Sequence, residues 1–257
     1  MFTTVVKTVG LKTVQALELV GRLGIFAAST LRALFWQRIA AAKIYQQMER
    51  IGVGSLLITI VTGVCSGAVF ALQSYVGLKR FGGEELIGPI VALCMTRELG
   101  PVLTGLMVAG RAGAAMAAEI GTMRVTEQID ALTTLRINPY QYLVAPRILA
   151  ATLILPFLTL FAMSFGVIGG YLVCTLELNL NGEVYKSGIK ELVNMWDVGG
   201  GLIKAAVFGL IIAAVGSYQG FYTSGGARGV GRATTRSVVA ASILIILANY
   251  LLASALF

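Results

Sequence analysis

The stretch Leu86 to Gly110, LIGPIVALCMTRELGPVLTGLMVAG, is 25 residues long and apolar except for Arg97 and Glu98 near its centre. A helix needs about 20 apolar residues to cross the hydrocarbon core of a bilayer, so neither half spans alone. The stretch reads as one membrane span with a cation and an anion side by side, broken or kinked near Gly100-Pro101, where proline lacks the N–H of a helix interior. Four uncharged stretches surround it. Between Arg50 and Lys79 lie 28 uncharged residues, which place a span from Ile51 to about Gln73. Another 29 lie between Arg147 and Glu177, spanning from about Ile148 to Leu176. The stretches Ala205–Ala227 and Ser237–Phe257 complete five spans.

Composition leads to the same class. Of 257 residues, 57% are hydrophobic and 12% charged, with a mean hydropathy of +0.83. A soluble domain carries about a quarter charged residues, so this chain must bury its apolar excess in lipid as an all-α integral membrane protein. It contains no histidine, which excludes histidine acid–base catalysis, Ser-His triads and His-ligated metals. Cys65, Cys94 and Cys174 lie in apolar stretches without a C-x-x-C pair and read as buried small apolar residues. No catalytic residue and no metal site is expected.

A net charge of +8 in a soluble protein could mean nucleic acid; here the cations follow membrane topology, and no nucleic-acid partner is expected. With a cytoplasmic N-terminus, residues 1–50, 111–147 and 220–236 carry fourteen Lys and Arg, against four (Lys79, Arg80, Lys186, Lys190) in the opposite connections. This asymmetry puts the N-terminus in the cytoplasm and the C-terminus outside. Residues 1–50 read as an interfacial region, with a soluble helix docked on the bundle as the alternative: Val5, Val6, Val9, Leu17 and Val20 fall on one side of a helix, opposite Lys7, Glu18 and Arg22. Residues 51–257 then form the membrane domain. Small-xxx-small pairs at Gly63/Gly67, Gly166/Gly170 and Gly216/Gly220 permit close helix contacts.

An ionisable residue at the bilayer centre costs about 2.5–3.5 kcal/mol on insertion scales. Arg97 and Glu98 point about 100° apart on a helix, so each needs a partner elsewhere: a helix–helix ion pair, or a polar cavity for a charged headgroup. Lys204 interrupts span four about two turns from its outer end and either snorkels to the interface or joins them. If all three face one cavity it carries net +1 and favours a phosphate-bearing lipid head. On the cytoplasmic side, Glu119 to Pro139 reads as a short amphipathic helix. Val125, Ile129 and Leu132 lie on one side, Glu119, Glu127 and Asp130 on the other, and Asn138-Pro139 stops it. Its acidic face is either solvated or docks into a basic groove of a partner. The loop Ser224–Arg236, SGGARGVGRATTR, matches no phosphate-cradle motif and reads as a lipid-head anchor. No nucleotide-binding motif occurs in the chain, so any ATP is bound by another subunit.

The runs ALCMTRELGPVLTGLMVAGRAGAAMAAEIGTMRVTEQIDAL, NPYQYLVAPRILA and GVGRATTRSVV closely resemble the signature of the MlaE/YrbE permease family, and the likeness covers nearly the whole chain. The resemblance implies an interfacial N-terminal helix, five spans, and a coupling helix at about 119–136 between spans two and three. It implies a homodimeric permease of the bacterial inner membrane that moves phospholipid to or from an MCE-protein tunnel and so maintains outer-membrane lipid asymmetry. Its implied partners are cytoplasmic ABC ATPase subunits (MlaF-like) holding ATP and Mg, a hexameric MCE protein (MlaD-like) and often a STAS-domain protein (MlaB-like). By family position, Arg97, Glu98 and Lys204, with Leu72, Gln73 and Tyr75 near the outer end of span one, would bind the lipid. Glu119, Arg124, Glu127 and Asp130 would couple to the ATPase. The stretch Glu177–Asp197 resembles the family least. A self-sufficient secondary transporter using Arg97 and Glu98 is the alternative, though only five spans and no inverted repeat are present. A lipid-modifying enzyme lacks histidine and clustered carboxylates.

Overall fold

The computed structural model describes residues 2–36 and 39–257; the side chains of Val5, Val6 and Val9 lie outside the described residues. Among the described residues there is no strand. Among the described residues, five helices are long and apolar enough to cross a membrane: Ala41–Phe81, Glu84–Val125, Tyr140–Glu177, Met195–Phe221 and Gly226–Leu256, hereafter spans one to five. They follow an N-terminal helix, Phe2–Trp36. A short helix, Gln128–Thr134, joins spans two and three, and an amphipathic helix, Gly182–Leu192, joins spans three and four.

Spans one and three make the most extensive contact in the fold. Its cause is legible in the glycines. A Cβ on Gly67 would overlap the Gly166 carbonyl, and one on Gly63 would stand 2.7 Å from the Ala162 carbonyl oxygen. The two small-residue pairs therefore face each other, which brings backbone against backbone where lipid offers no hydrophobic drive to associate. Gly216 and Gly220 play the same part against span two, facing the Gly113 and Ala117 carbonyls at 3.0 and 2.9 Å from an added Cβ. The largest core cluster, with Val108, Leu155, Phe208, Ile212 and Ile245, lies between spans two to five.

Span two, expected to be broken or kinked near Gly100-Pro101, is continuous there, with a π turn ending at Leu99 immediately before that pair. It contains two π turns, Met95–Leu99 and Ala109–Gly113. Each inserts an extra residue into the α ladder, a device that re-aims side chains at functional sites. Span four starts at Met195, which places Lys204 inside the span, as expected, rather than at its edge. Asn194 and Asp197 form a reciprocal capping box there, and Lys204 is buried rather than marking an interface. The expected loop Ser224–Arg236 is helical from Gly226, which puts Arg228, Arg232 and Arg236 on one exposed face of span five.

The basic end of the molecule carries the N-terminal helix. Leu17 and Val20 of its expected apolar stripe are exposed, whereas Phe26, Thr30 and Ala33 are buried. Phe26 meets Tyr140 and Tyr218 edge-on at ring-centroid distances of 5.8 and 5.4 Å. Among the described side chains of this helix, those from Val14 to Ile25 are open and docking begins at Phe26. Residues 50 and 51, the expected domain boundary, both lie inside the first helix of span one, Ala41–Leu78. The three cysteines are free, but only Cys174 is buried, and Cys65 is exposed. At the opposite end the helix Gly182–Leu192 docks through Tyr185, whose hydroxyl donates to the Val167 carbonyl at 3.2 Å; burial raises its phenol pKa, so it stays a neutral donor.

Candidate functional site

The first π turn of span two holds Arg97 and Glu98, and span four brings Lys204 to them. Pro101 cannot return the i→i−4 hydrogen bond to the Arg97 carbonyl. The Lys204 ammonium takes that place, donating to the Arg97 carbonyl at 2.9 Å and to Glu98 Oε1 at 2.7 Å. Lys204 is 0% exposed, so it does not snorkel. Glu98 Oε2 accepts from Asn249 Nδ2 of span five at 2.8 Å. Arg97 turns the other way, as the 100° step requires, and donates through Nε to Asp197 Oδ1 at 2.7 Å. Asp197 also accepts from the Asn194 backbone N–H at 2.8 Å. One carboxylate thus caps span four and neutralises span two.

Close approach makes the arrangement possible. A Cβ on Gly201 would overlap the Thr96 carbonyl, and one on Gly200 would meet the Phe257 ring at 2.6 Å. That ring lies 4.7 Å from the Arg97 guanidinium carbon and 5.3 Å from the Lys204 nitrogen, measured to its centroid. Two cations face two carboxylates, so the cluster is neutral, not the net +1 expected from Arg97, Glu98 and Lys204 alone. Asp197 supplies the difference. It stands seven residues before Lys204, on the same helix face, a spacing that the sequence carried. Asn249, the polar interruption of an apolar span, was the signal for the fourth partner. Arg97 and Glu98 nevertheless remain 40% and 42% exposed as side chains, so the pair is open to a ligand on one side and anchored on the other.

Leu72, Gln73 and Tyr75 lie toward the same end of the molecule, on span one. Leu72 and Gln73 are exposed, while Tyr75 packs against the cluster of Ile87, Val91 and Met95, with the Lys79 ammonium 5.1 Å from its ring centroid. No hydrogen bond or ion pair joins these three to Arg97 or Lys204 among the described residues.

The expected single helix over 119–136 is two helices. Span two runs through Glu119 and Arg124 to Val125. The chain then turns at Glu127, whose φ is +58°, and restarts as Gln128–Thr134. A second left-handed residue, Arg136 (φ +58°), ends that helix, with the Ile137 N–H returning to the Leu132 carbonyl at 2.9 Å and the Arg136 N–H to Thr133 at 3.0 Å. This is the paired-bond C-terminal motif that normally prefers glycine. The expected shared acidic face is therefore dispersed. Glu119 is drawn inward, accepting from buried Arg147 at 2.9 Å and from Arg50 at 3.5 Å. Asp130 is paired with Arg124 across the turn at 2.7 Å. Glu127 is exposed and makes no ion pair among the described residues. The short helix is seated by Ile129 against Ile120 and Leu143, leaving Leu135 70% exposed at its tip.

Comparison with known proteins follows the same pattern. Residues 44–255 match the family model described as Permease MlaE. The chain is 45% identical over 257 residues to a probable ABC transporter permease protein of Rickettsia bellii, covering 100% of this chain and 99% of that one. It is 33% identical over 258 residues to the intermembrane phospholipid transport system permease protein MlaE of Haemophilus influenzae, with the same coverage of 100% and 99%. It is also 38% identical over 225 residues to the chloroplastic protein TRIGALACTOSYLDIACYLGLYCEROL 1 of Arabidopsis thaliana, covering 86% of this chain and 64% of that protein.

Proposed function

The chain belongs to the MlaE permease family, and from that premise we propose that it is the membrane subunit of an ATP-driven phospholipid transporter of a bacterial inner membrane, exchanging lipid with an MCE-protein tunnel. The observation that carries this reading is the half-open quartet. Lys204 and Asp197 are buried and hold Glu98 and Arg97, whose outer sides stay exposed at membrane depth. Arg97 uses two of its nitrogens on Asp197, and a guanidinium has five N–H donors. The remaining donors suit the phosphate of a lipid, with acyl chains along the apolar walls and Leu72, Gln73 and Tyr75 toward the exit. Charge-assisted hydrogen bonds to phosphate are about twice as strong as neutral ones.

The name of the Haemophilus relative supports the lipid as cargo, and those of the rickettsial relatives support an ABC partner. The chain has no nucleotide-binding motif, so ATP and Mg belong to a separate cytoplasmic ATPase. Its seat is the basic end, around Gln128–Thr134, where Leu135 offers an apolar anchor and Glu127 an unpaired carboxylate. This orientation follows from the fourteen-to-four distribution of basic residues. In a homodimer, closure of the ATPases would push both short helices, squeeze the shared cavity and release the lipid.

The test is co-purification from native membranes, with bound lipid and ATPase activity measured on the isolated complex. The wild type is expected to bring an ATPase, an MCE protein and phospholipid. Arg97→Glu should lose lipid but keep the ATPase, and Glu127→Lys should lose the ATPase but keep lipid. A chain that purifies alone, or lipid retention unchanged in Arg97→Glu, would overturn the reading.

A further inference from the structure

A roomy cavity lies away from the outer quartet. It lies toward the basic end, between spans one and two, with a volume of about 640 Å³, and its walls include Gln47, Arg50, Gly54, Arg111 and Glu119. Arg111 belongs to the second π turn of span two, about 21 Å along the helix from Arg97 at 1.5 Å per residue. Its guanidinium lies across Gly54, where any Cβ would collide with it. Its Nη1 donates only to neutral acceptors, the Ser55 hydroxyl at 3.0 Å and the Arg50 carbonyl at 3.4 Å. Among the described residues Arg111 has no carboxylate partner. Glu119 is already shared between Arg50 and buried Arg147, and the lining sets Arg50 and Arg111 beside Glu49 and Glu119, so the cavity is neutral in sum and Arg111 is its cation without a carboxylate partner among the described residues.

A second, apolar groove of about 290 Å³ runs along the other side of the same stretch of span one, lined by Met48, Gly52, Leu56, Ile154 and Phe161. Glu49 and Val53 line both spaces. A polar cavity that presents the Arg111 guanidinium and an apolar groove separated by one ridge of a helix match an amphiphile with a phosphate at one end and hydrocarbon at the other. We infer that this is a second lipid site, in the leaflet at the basic end, which takes the phosphate of a glycerophospholipid at Arg111 and Arg50 and an acyl chain in the Met48–Phe161 groove. This site is separate from the outer quartet and does not depend on it.

The test uses the full-length protein in a neutral detergent, freed of native lipid. It is titrated with phosphatidylglycerol, diacylglycerol or glycerol phosphate, and bound ligand is counted by native mass spectrometry. Folding of each variant is checked by circular dichroism. Arg111→Gln should weaken phosphatidylglycerol binding about tenfold, the loss expected for one charge-assisted hydrogen bond. Arg50→Gln, which changes an exposed side chain, should weaken it about threefold or more on the same grounds, and carries the test if Arg111→Gln does not fold. Arg97→Gln should leave this binding event in place. Diacylglycerol binding as tightly as phosphatidylglycerol would overturn the phosphate role of the arginines. Glycerol phosphate binding as tightly as the lipid would overturn the lipid in favour of a soluble phosphate ester. Loss of dimer rather than of lipid in Arg111→Gln would overturn it in favour of a second copy covering the cavity. Lipid lost in Arg97→Gln and kept in Arg111→Gln would overturn this site and leave the outer one standing.

Discussion

Span two contains the same device twice, and the two copies are equipped differently. At Met95–Leu99 the π turn exposes a carbonyl and two opposite charges, and spans four and five answer each of them with Lys204, Asp197 and Asn249, leaving the outer sides of Arg97 and Glu98 open. At Ala109–Gly113 the turn presents one guanidinium, and only a hydroxyl and a carbonyl answer it. A π turn re-aims a side chain; whether the result is an anchored cluster or an open charge depends on what the neighbouring helices bring. The first is a neutral cluster with an open edge, and the second is a guanidinium without a carboxylate partner among the described residues.

The contrast is breakable by substitution. The largest effect is expected at Lys204, which is fully buried. Lys204→Met leaves Glu98 charged and without its cation, and removing one member of a buried pair costs about 3–5 kcal/mol. The melting temperature in detergent should fall sharply, and adding Glu98→Gln to make the double variant should restore most of it; no restoration would mean that the pair is not the reason for the loss. Asp197→Ala removes both the Arg97 partner and one half of the capping box. A loss of about 2–3 kcal/mol is expected from the charged hydrogen bonds and the cap, read from the same melts and from faster hydrogen exchange at Asn194–Gly199.

Arg111→Gln sharpens the comparison because no carboxylate is left behind. Its effect on stability should stay within about 1 kcal/mol, the ordinary net worth of a neutral hydrogen bond. A loss as large as that of Lys204→Met would show the two turns to be equivalent. The smallest effect is expected from Gly54→Ala. Alanine favours the helix by about 0.8–1.0 kcal/mol over glycine, and the only obstacle is the movable end of Arg111. The variant should be as stable as the wild type or slightly more so, with the guanidinium displaced; unfolding would mean that Arg111 cannot leave its seat.

Much of this was legible beforehand. The five spans follow from the lengths of uncharged runs, and the facing glycine pairs from their four-residue spacing. Arg97, Glu98 and Lys204 stood out because each is expensive in hydrocarbon. Asp197 was harder to read, since it stands next to a connection and resembles an ordinary helix cap, which it also is. The segment 119–136 fits one amphipathic helix by periodicity, yet Glu127 and Arg136 adopt left-handed backbones that residue type disfavours. The docking of Ile129 on Ile120 and Leu143 compensates for that local cost, and no local rule anticipates it.

The sequence by itself determined that this chain is an all-α membrane protein with five spans, which residues are too polar for their surroundings, and to which family it belongs. Hydrophobic length and the cost of burying charge are properties of a single segment, so a single segment displays them. Only the tertiary structure decided which charge meets which, that the Arg97–Glu98–Asp197–Lys204 cluster is neutral, and that Arg111 has no anionic partner among the described residues. Ion pairing between helices depends on rotation and register set by backbone contacts at Gly67, Gly166 and Gly201, and those contacts exist only once the helices have packed.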